Sequence, residues 1–274
     1  MQSVTSSGSS QRSTPRRTLL IIGGAEDKQD DKEILSTLAE RVDGGRLVIA
    51  TVATEDPEAS WRKYQDVFGK LGVSDLTWVD VRDRAQALEP ERSQTIEDAV
   101  GVFFTGGDQL RITAHIGDTP VFQRTRALLD RGGVVAGTSA GASVMSETML
   151  VGGASANTPT VGEIVQMAPG LGFLPGAIVD QHFSERGRVG RLLGAVAQNP
   201  RVLGIGIDED TATLVEDGHL SVVGSGGVYV FDGSHSKRSN IAEANPDETL
   251  RIEDVLLHIL PNGARFDIEH RRPA

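Results

Sequence analysis

Short, apolar, β-rich runs alternate with helix-like sequence along the first half of this chain, and that alternation leaves few architectures open. Thr18 to Gly23 (TLLIIG), Arg46 to Ala53 (RLVIATVA), Leu76 to Val81 and Val100 to Thr105 (VGVFFT) are such runs, each followed by helix-like sequence. The clearest helix between them is Pro57 to Leu71, where Trp61, Tyr64, Phe68 and Leu71 recur at helical spacing while Arg62, Lys63 and Asp66 face elsewhere. Val121 to Arg131 repeats the pattern, Arg131-Gly132-Gly133 stops it, and Val134 to Gly137 opens another buried strand. Such βαβα order predicts an α/β fold with a mostly parallel central sheet flanked by helices on both faces. Ala177 to Asp180 and Val202 to Ile207 read as further strands of that sheet, separated by a helix over Val189 to Gln198. From Thr211 onward, Asp217-Gly218 and Gly226-Gly227 sit between alternating β-rich runs, which predicts antiparallel hairpins at an edge toward the C-terminus.

The 274 residues fit one such domain over 18–274. Residues 1–17 are rich in Ser, Thr, Gln and Arg and lack the apolar centre of a secretion signal, so they read as a disordered tail on a cytoplasmic protein. No stretch approaches the roughly 20 apolar residues a membrane crossing needs. The net charge of -11 argues against a surface that tracks nucleic-acid phosphates. The chain has no cysteine, which removes disulfides, thiolate metal sites and any thiol nucleophile, and with them the class I glutamine amidotransferases.

Gly137-Thr138-Ser139-Ala140-Gly141 then becomes informative, because it follows the strand VVAG and precedes helix-like sequence. That is the setting of a nucleophile elbow, a sharp strand-to-helix turn that holds a serine in a strained conformation while small neighbours let the flanking chains approach. A helix starting just after Ser139 points its free N–H groups at the site, so the N–H of Ala140 can bind a developing oxyanion. Gly107, in the glycine pair that ends the strand before Asp108 and Gln109, is the expected second donor.

A serine hydroxyl needs a base. Of the six histidines, His270 lies in the basic tail, His235 in a Gly/Ser loop, His219 beside a hairpin turn and His258 in a late apolar run. His115 is a minor candidate, whereas His182 directly follows the strand AIVD, at the carboxyl end where α/β sheets assemble sites. An acid should orient the imidazole, and Asp180, Glu163 and the pair Asp208-Glu209 compete, with Glu209 favoured. Around His182 the sequence gathers Asp180, Gln181, Arg186, Arg188 and Arg191, a set whose arginines could grip carboxylates bidentately.

The blocks FTGGDQ, GTSAGASVM, MAPGLGFLP, DQHFSERGRVGRL and GIGIDEDTA together resemble the cyanophycinases, within the peptidase E-like serine peptidases, from about Arg17 to the C-terminus. The resemblance implies a cofactor-free and metal-free serine exopeptidase, a homodimer, that releases β-aspartyl-arginine dipeptides from cyanophycin, a polyaspartate with arginine on each β-carboxyl group. Carried over position by position, it implies Ser139 as nucleophile and His182 as base, with Gln109, Asp180, Gln181, Arg186, Arg188 and Arg191 lining the substrate pocket. Two other readings remain open: an aspartyl or isoaspartyl dipeptidase of the peptidase E kind, which the arginine-rich block disfavours, and a nucleotide-binding module built on the glycine-rich rims.

Overall fold

The computed structural model describes residues 16–152, 159–160 and 166–274. The segment read as a tail lies outside them up to residue 15, as does Glu163. In chain order the elements are β1 (Thr18–Ile22), α1 (Glu33–Val42), β2 (Arg46–Ala50), α2 (Pro57–Lys70), β3 (Leu76–Val79), α3 (Arg84–Ala87), α4 (Pro90–Gln94) and β4 (Ala99–Phe104). There follow α5 (Gln109–Ile116), α6 (Pro120–Asp130), β5 (Val134–Thr138), α7 (Ala140–Ser143), β6 (Thr148–Leu150), β7 (Met167–Pro169), β8 (Ala177–Gln181) and α8 (Val189–Gln198). The chain closes with β9 (Leu203–Ile207), β10 (Thr211–Glu216), β11 (His219–Gly224), β12 (Val228–Asp232), β13 (Leu256–Leu260), β14 (Arg265–Asp267) and β15 (Arg272–Pro273).

Nine strands form the main sheet in the order β15-β14-β11-β10-β1-β5-β4-β2-β3. The five strands from β1 to β3 run parallel, and β10 joins β1 antiparallel to begin the edge hairpin. Period-two side-chain alternation explains why these strands read as continuous apolar runs, since both faces are covered. Leu20, Ile22, Leu47, Ile49 and Phe103 pack against Leu35 and Leu38 of α1 and Tyr64 and Phe68 of α2. Their neighbours Leu19, Ile21, Val48, Val102 and Phe104 face Ile112 of α5 and Leu128 and Leu129 of α6. Among the described residues no helix is long and apolar enough to cross a membrane.

Two sequence expectations are corrected in detail. The strands β8 and β9 do not extend the main sheet; they pair parallel to each other in a separate four-stranded sheet, order β13-β12-β9-β8, with α8 as their crossover. Apolar runs define strands but carry no mark of which sheet they join. Asp217-Gly218 does turn a hairpin, between β10 and β11. Gly226-Gly227 instead carries the chain out of the main sheet, so that β12 pairs with β9 and β13.

Candidate active site

The two sheets meet on the segment that leaves β1. The Ser139 N–H donates to the Ile22 carbonyl at 3.0 Å, that of His182 to the Gly23 carbonyl at 2.8 Å, and that of Asp210 to the Gly24 carbonyl at 2.9 Å. Three successive carbonyls thus fix three chain segments, each following a different strand: β5, β8 and β9.

On that seam the His182 side chain stands between those of Ser139 and Glu209. Its Nε2 is 3.1 Å from Ser139 Oγ and its Nδ1 is 2.5 Å from Glu209 Oε1. With Nδ1 carrying the proton toward the carboxylate, Nε2 is left to accept from the serine hydroxyl. Ser139 has φ 53° and His182 φ 47°, left-handed conformations that non-glycine residues seldom adopt and that cluster at functional sites. Glu209 lies just past the end of β9, and its side chain keeps 38% of its exposure while that of His182 keeps 11%. Gly24, with φ 109°, lies under the imidazole: a Cβ there would stand 2.3 Å from His182 Cε1. Nothing in the local sequence marks that a side chain at position 24 would occupy the place of the ring.

Ala140 directly follows the serine, and the Gly106-Gly107 pair approaches it. Gly106 is close enough that a Cβ on it would be 3.6 Å from Ser139 Cβ, and Gly107 takes φ 145° while packed on the Ala53 carbonyl. Among the described residues neither the Gly107 nor the Ala140 N–H donates to a backbone carbonyl outside regular elements. The helix after Ser139 is shorter than its sequence implies: α7 is a single turn, Ala140–Ser143. A helix macrodipole therefore adds little, and local N–H groups are what this turn offers an anion.

The polar block around His182 divides in two. Asp180 is fully buried and accepts from Arg188 Nη1 at 2.9 Å, from Arg191 Nε at 2.6 Å and Nη2 at 2.5 Å, and from the Gln181 N–H at 2.9 Å. Burial lowers the Arg188 pKa, with Asp180 opposing that shift. Arg188 and Arg191 are themselves buried, at 7% and 9% exposure, so this group is a closed ion triad behind the site. Arg186 is exposed, Gln181 is buried next to His182, and Gln109 donates its side-chain N–H to the Leu150 carbonyl at 3.0 Å. Asp208, the rival to Glu209, accepts from the N–H groups of Ser184 and Gly227 and so ties loops together. His115 stands on α5, away from the imidazole site, and His258 packs its ring on Phe266.

One buried carboxylate escaped the sequence reading. Glu26 accepts from Thr138 Oγ1 at 2.6 Å and Tyr64 Oη at 2.7 Å, and its Oε1 lies 2.8 Å from Lys28 Nζ. Burial would raise its pKa, but the Lys28 charge and these hydrogen bonds outweigh that and hold it below the ordinary 4.5. Thr138 immediately precedes the elbow serine, so Glu26 braces the strand end from beneath.

The chain as a whole has relatives among known proteins. Peptidase family S51 matches residues 19–223. A cyanophycinase of Geminocystis herdmanii (strain PCC 6308) is 40% identical over 262 residues, covering 94% of this chain and 96% of that protein. A cyanophycinase of Nostoc sp. (strain PCC 7120) is 42% identical over 266 residues, covering 94% and 89%. Among solved structures, a peptidase from an acI-B1 Actinobacterium superposes with a TM-score of 0.65 at 21% identity, over 88% of this chain and 96% of that one. A putative peptidase E protein from Listeria monocytogenes EGD-e gives 0.52 at 11% identity, over 77% and 99%. At those identities the two structures speak for the fold alone.

Proposed function

This chain belongs to peptidase family S51, and on that premise we propose that it is a serine exopeptidase that hydrolyses cyanophycin to β-aspartyl-arginine dipeptides through an acyl-enzyme on Ser139. The observation that carries the reading is the imidazole of His182, 3.1 Å from the Ser139 hydroxyl on one side and 2.5 Å from the Glu209 carboxylate on the other.

In the first half of the reaction the Ser139 oxygen bonds to a backbone carbonyl carbon of the polymer while its proton passes to His182 Nε2. Glu209 accepts the Nδ1 proton and stabilises the imidazolium that forms. The carbonyl oxygen becomes an oxyanion facing the N–H groups of Gly107 and Ala140. As the C–N bond breaks, His182 returns the proton to the leaving amine. Water then adds to the ester with His182 again as base, which frees the acyl half of the cut chain and restores the hydroxyl.

Exposed Arg186, together with Gln181 and Gln109, meets the substrate at this rim. In this reading Asp180, Arg188 and Arg191 are a buried support behind the pocket, holding the β8 end that carries His182. The reading also includes a homodimer, and β13 offers a surface for it: an edge strand with Leu256, Leu257 and Ile259 exposed at 45%, 49% and 61%. Ile259→Lys then gives a monomer by light scattering.

The deciding experiment incubates the protein and its Ser139→Ala variant with purified cyanophycin and identifies the products by mass. The wild type releases β-aspartyl-arginine and the variant releases nothing. Free arginine as the sole product rejects the dipeptide assignment.

A further inference from the structure

Val52, Glu55, Arg82, Arg111 and His115 line a hollow of about 450 Å³ that takes no part in the reaction above. It opens on the same rim as Ser139, because Val52 and Glu55 follow β2, Arg82 follows β3, and Arg111 and His115 stand on α5. The sheet order β5-β4-β2-β3 sets β2 two strand spacings from β5 and β3 three. At about 4.8 Å per spacing the hollow lies roughly 10–14 Å along the rim from the serine. Backbone contacts join the two places: Gly107 packs on the Ala53 carbonyl, which also accepts the Asp108 N–H at 3.0 Å.

Its chemistry is mixed in charge. Arg111 Nη2 donates to Glu55 Oε1 at 3.0 Å, and the Glu55 side chain is 88% exposed. An ion pair so open to water is weakly held and easily exchanged for other partners. Arg82 donates to the Thr54 carbonyl at 3.1 Å and lies 3.6 Å from Asp80. His115 Nδ1 is shut off from solvent and has no hydrogen-bond partner among the described residues, which is unusual for a buried polar atom. Two guanidinium groups beside a displaceable carboxylate complement a ligand that carries a free carboxylate and a guanidinium together.

We propose that this hollow is a remote subsite for the uncut part of the polymer. It takes one arginyl branch, its free carboxylate on Arg82 and Arg111 and its guanidinium on Glu55. The proposal rests on the cyanophycin reading. An extended backbone advances about 3.3–3.6 Å per residue, so the subsite engages the branch three or four repeats from the bond that is cut.

The test compares two substrates, long cyanophycin and an oligomer of two repeats, whose backbone ends short of the hollow. For Arg82→Ala/Arg111→Ala the KM on the polymer rises about tenfold with kcat unchanged, while both constants on the two-repeat oligomer stay at wild-type values. Glu55→Arg, at a position too exposed to threaten folding, raises the polymer KM in the same selective way. Unchanged polymer KM in both variants, or equal losses on the two substrates, overturns the subsite while leaving the hydrolase reading intact. A wild-type protein that leaves cyanophycin uncut overturns the hydrolase reading and the subsite with it.

Discussion

The rim around Ser139 and the interior behind β8 are both dense in polar side chains, yet they are built on opposite rules. At the rim the groups are strained and half-open: Ser139 and His182 hold positive φ, and Glu209 keeps 38% of its side-chain exposure. Behind β8 the Asp180 carboxylate is closed off from water, with every contact made by Arg188, Arg191 and the Gln181 N–H. One acid is left able to respond to a proton moving on its neighbour; the other is locked. The contrast shows that a polar block in sequence can divide into a working half and a supporting half only a few residues apart. Removing a group from the rim should therefore cost rate, and removing one from the interior should cost stability.

The largest expected effect is at the rim. Ser139→Ala lowers hydrolysis of cyanophycin by about 10^4-fold or more, since a serine and its base act as a unit. Its thermal midpoint, measured by calorimetry, stays close to that of the wild type, because alanine keeps the same Cβ and backbone strain and gives up only the contact with His182. A fall of many degrees would show that the elbow is part of the frame and would erase the contrast.

The interior gives the converse. Asp180→Asn leaves two arginines facing each other without a carboxylate, and breaking a buried pair in this way costs about 3–5 kcal/mol. The expected result is a lower denaturation midpoint with near-normal kcat for the molecules that remain folded. If kcat drops a hundredfold at unchanged stability, Asp180 contacts substrate and the division drawn here is wrong. Gly24→Ala probes the boundary, since its Cβ would occupy the place of the imidazole edge. Displacing His182 by an ångström or more lowers kcat by roughly 10^2-fold, with little change in KM.

Much of this was legible in the chain because the relevant physics is local. Strands buried on both faces read as the apolar runs around Leu20 and Phe103, and the elbow reads from small residues flanking Ser139 after a strand. The choice of Glu209 over Asp208 was only half legible. Both lie past the end of β9, where strand alternation no longer applies, and the backbone turn at Asp210 (φ 45°) follows directly. The second sheet was hidden, since Ile178 and Ile205 look the same whichever sheet receives them. Glu26 was hidden too, because its partners Tyr64 and Thr138 lie 38 and 112 positions away.

Glu26 supplies the smallest and most discriminating test, for it is an interior carboxylate that serves the rim. Its folded pKa lies below the ordinary 4.5, because Lys28 and the hydrogen bonds from Thr138 and Tyr64 outweigh its burial. A depressed carboxyl contributes stability that is present above its unfolded pKa and disappears as pH falls through the folded value. Glu26→Gln keeps the shape and loses the charge, so at pH 7 it should cost about 1–2 kcal/mol. The gap between variant and wild type in urea unfolding should then close as the pH falls below the ordinary 4.5 and through the lowered folded value, where the wild-type carboxyl takes up its proton. If Glu26 also braces Thr138 beneath the nucleophile, kcat falls severalfold at pH 7 while KM holds. A stability gap that persists undiminished at low pH would mean that the carboxylate's charge is not what holds the strand end in place.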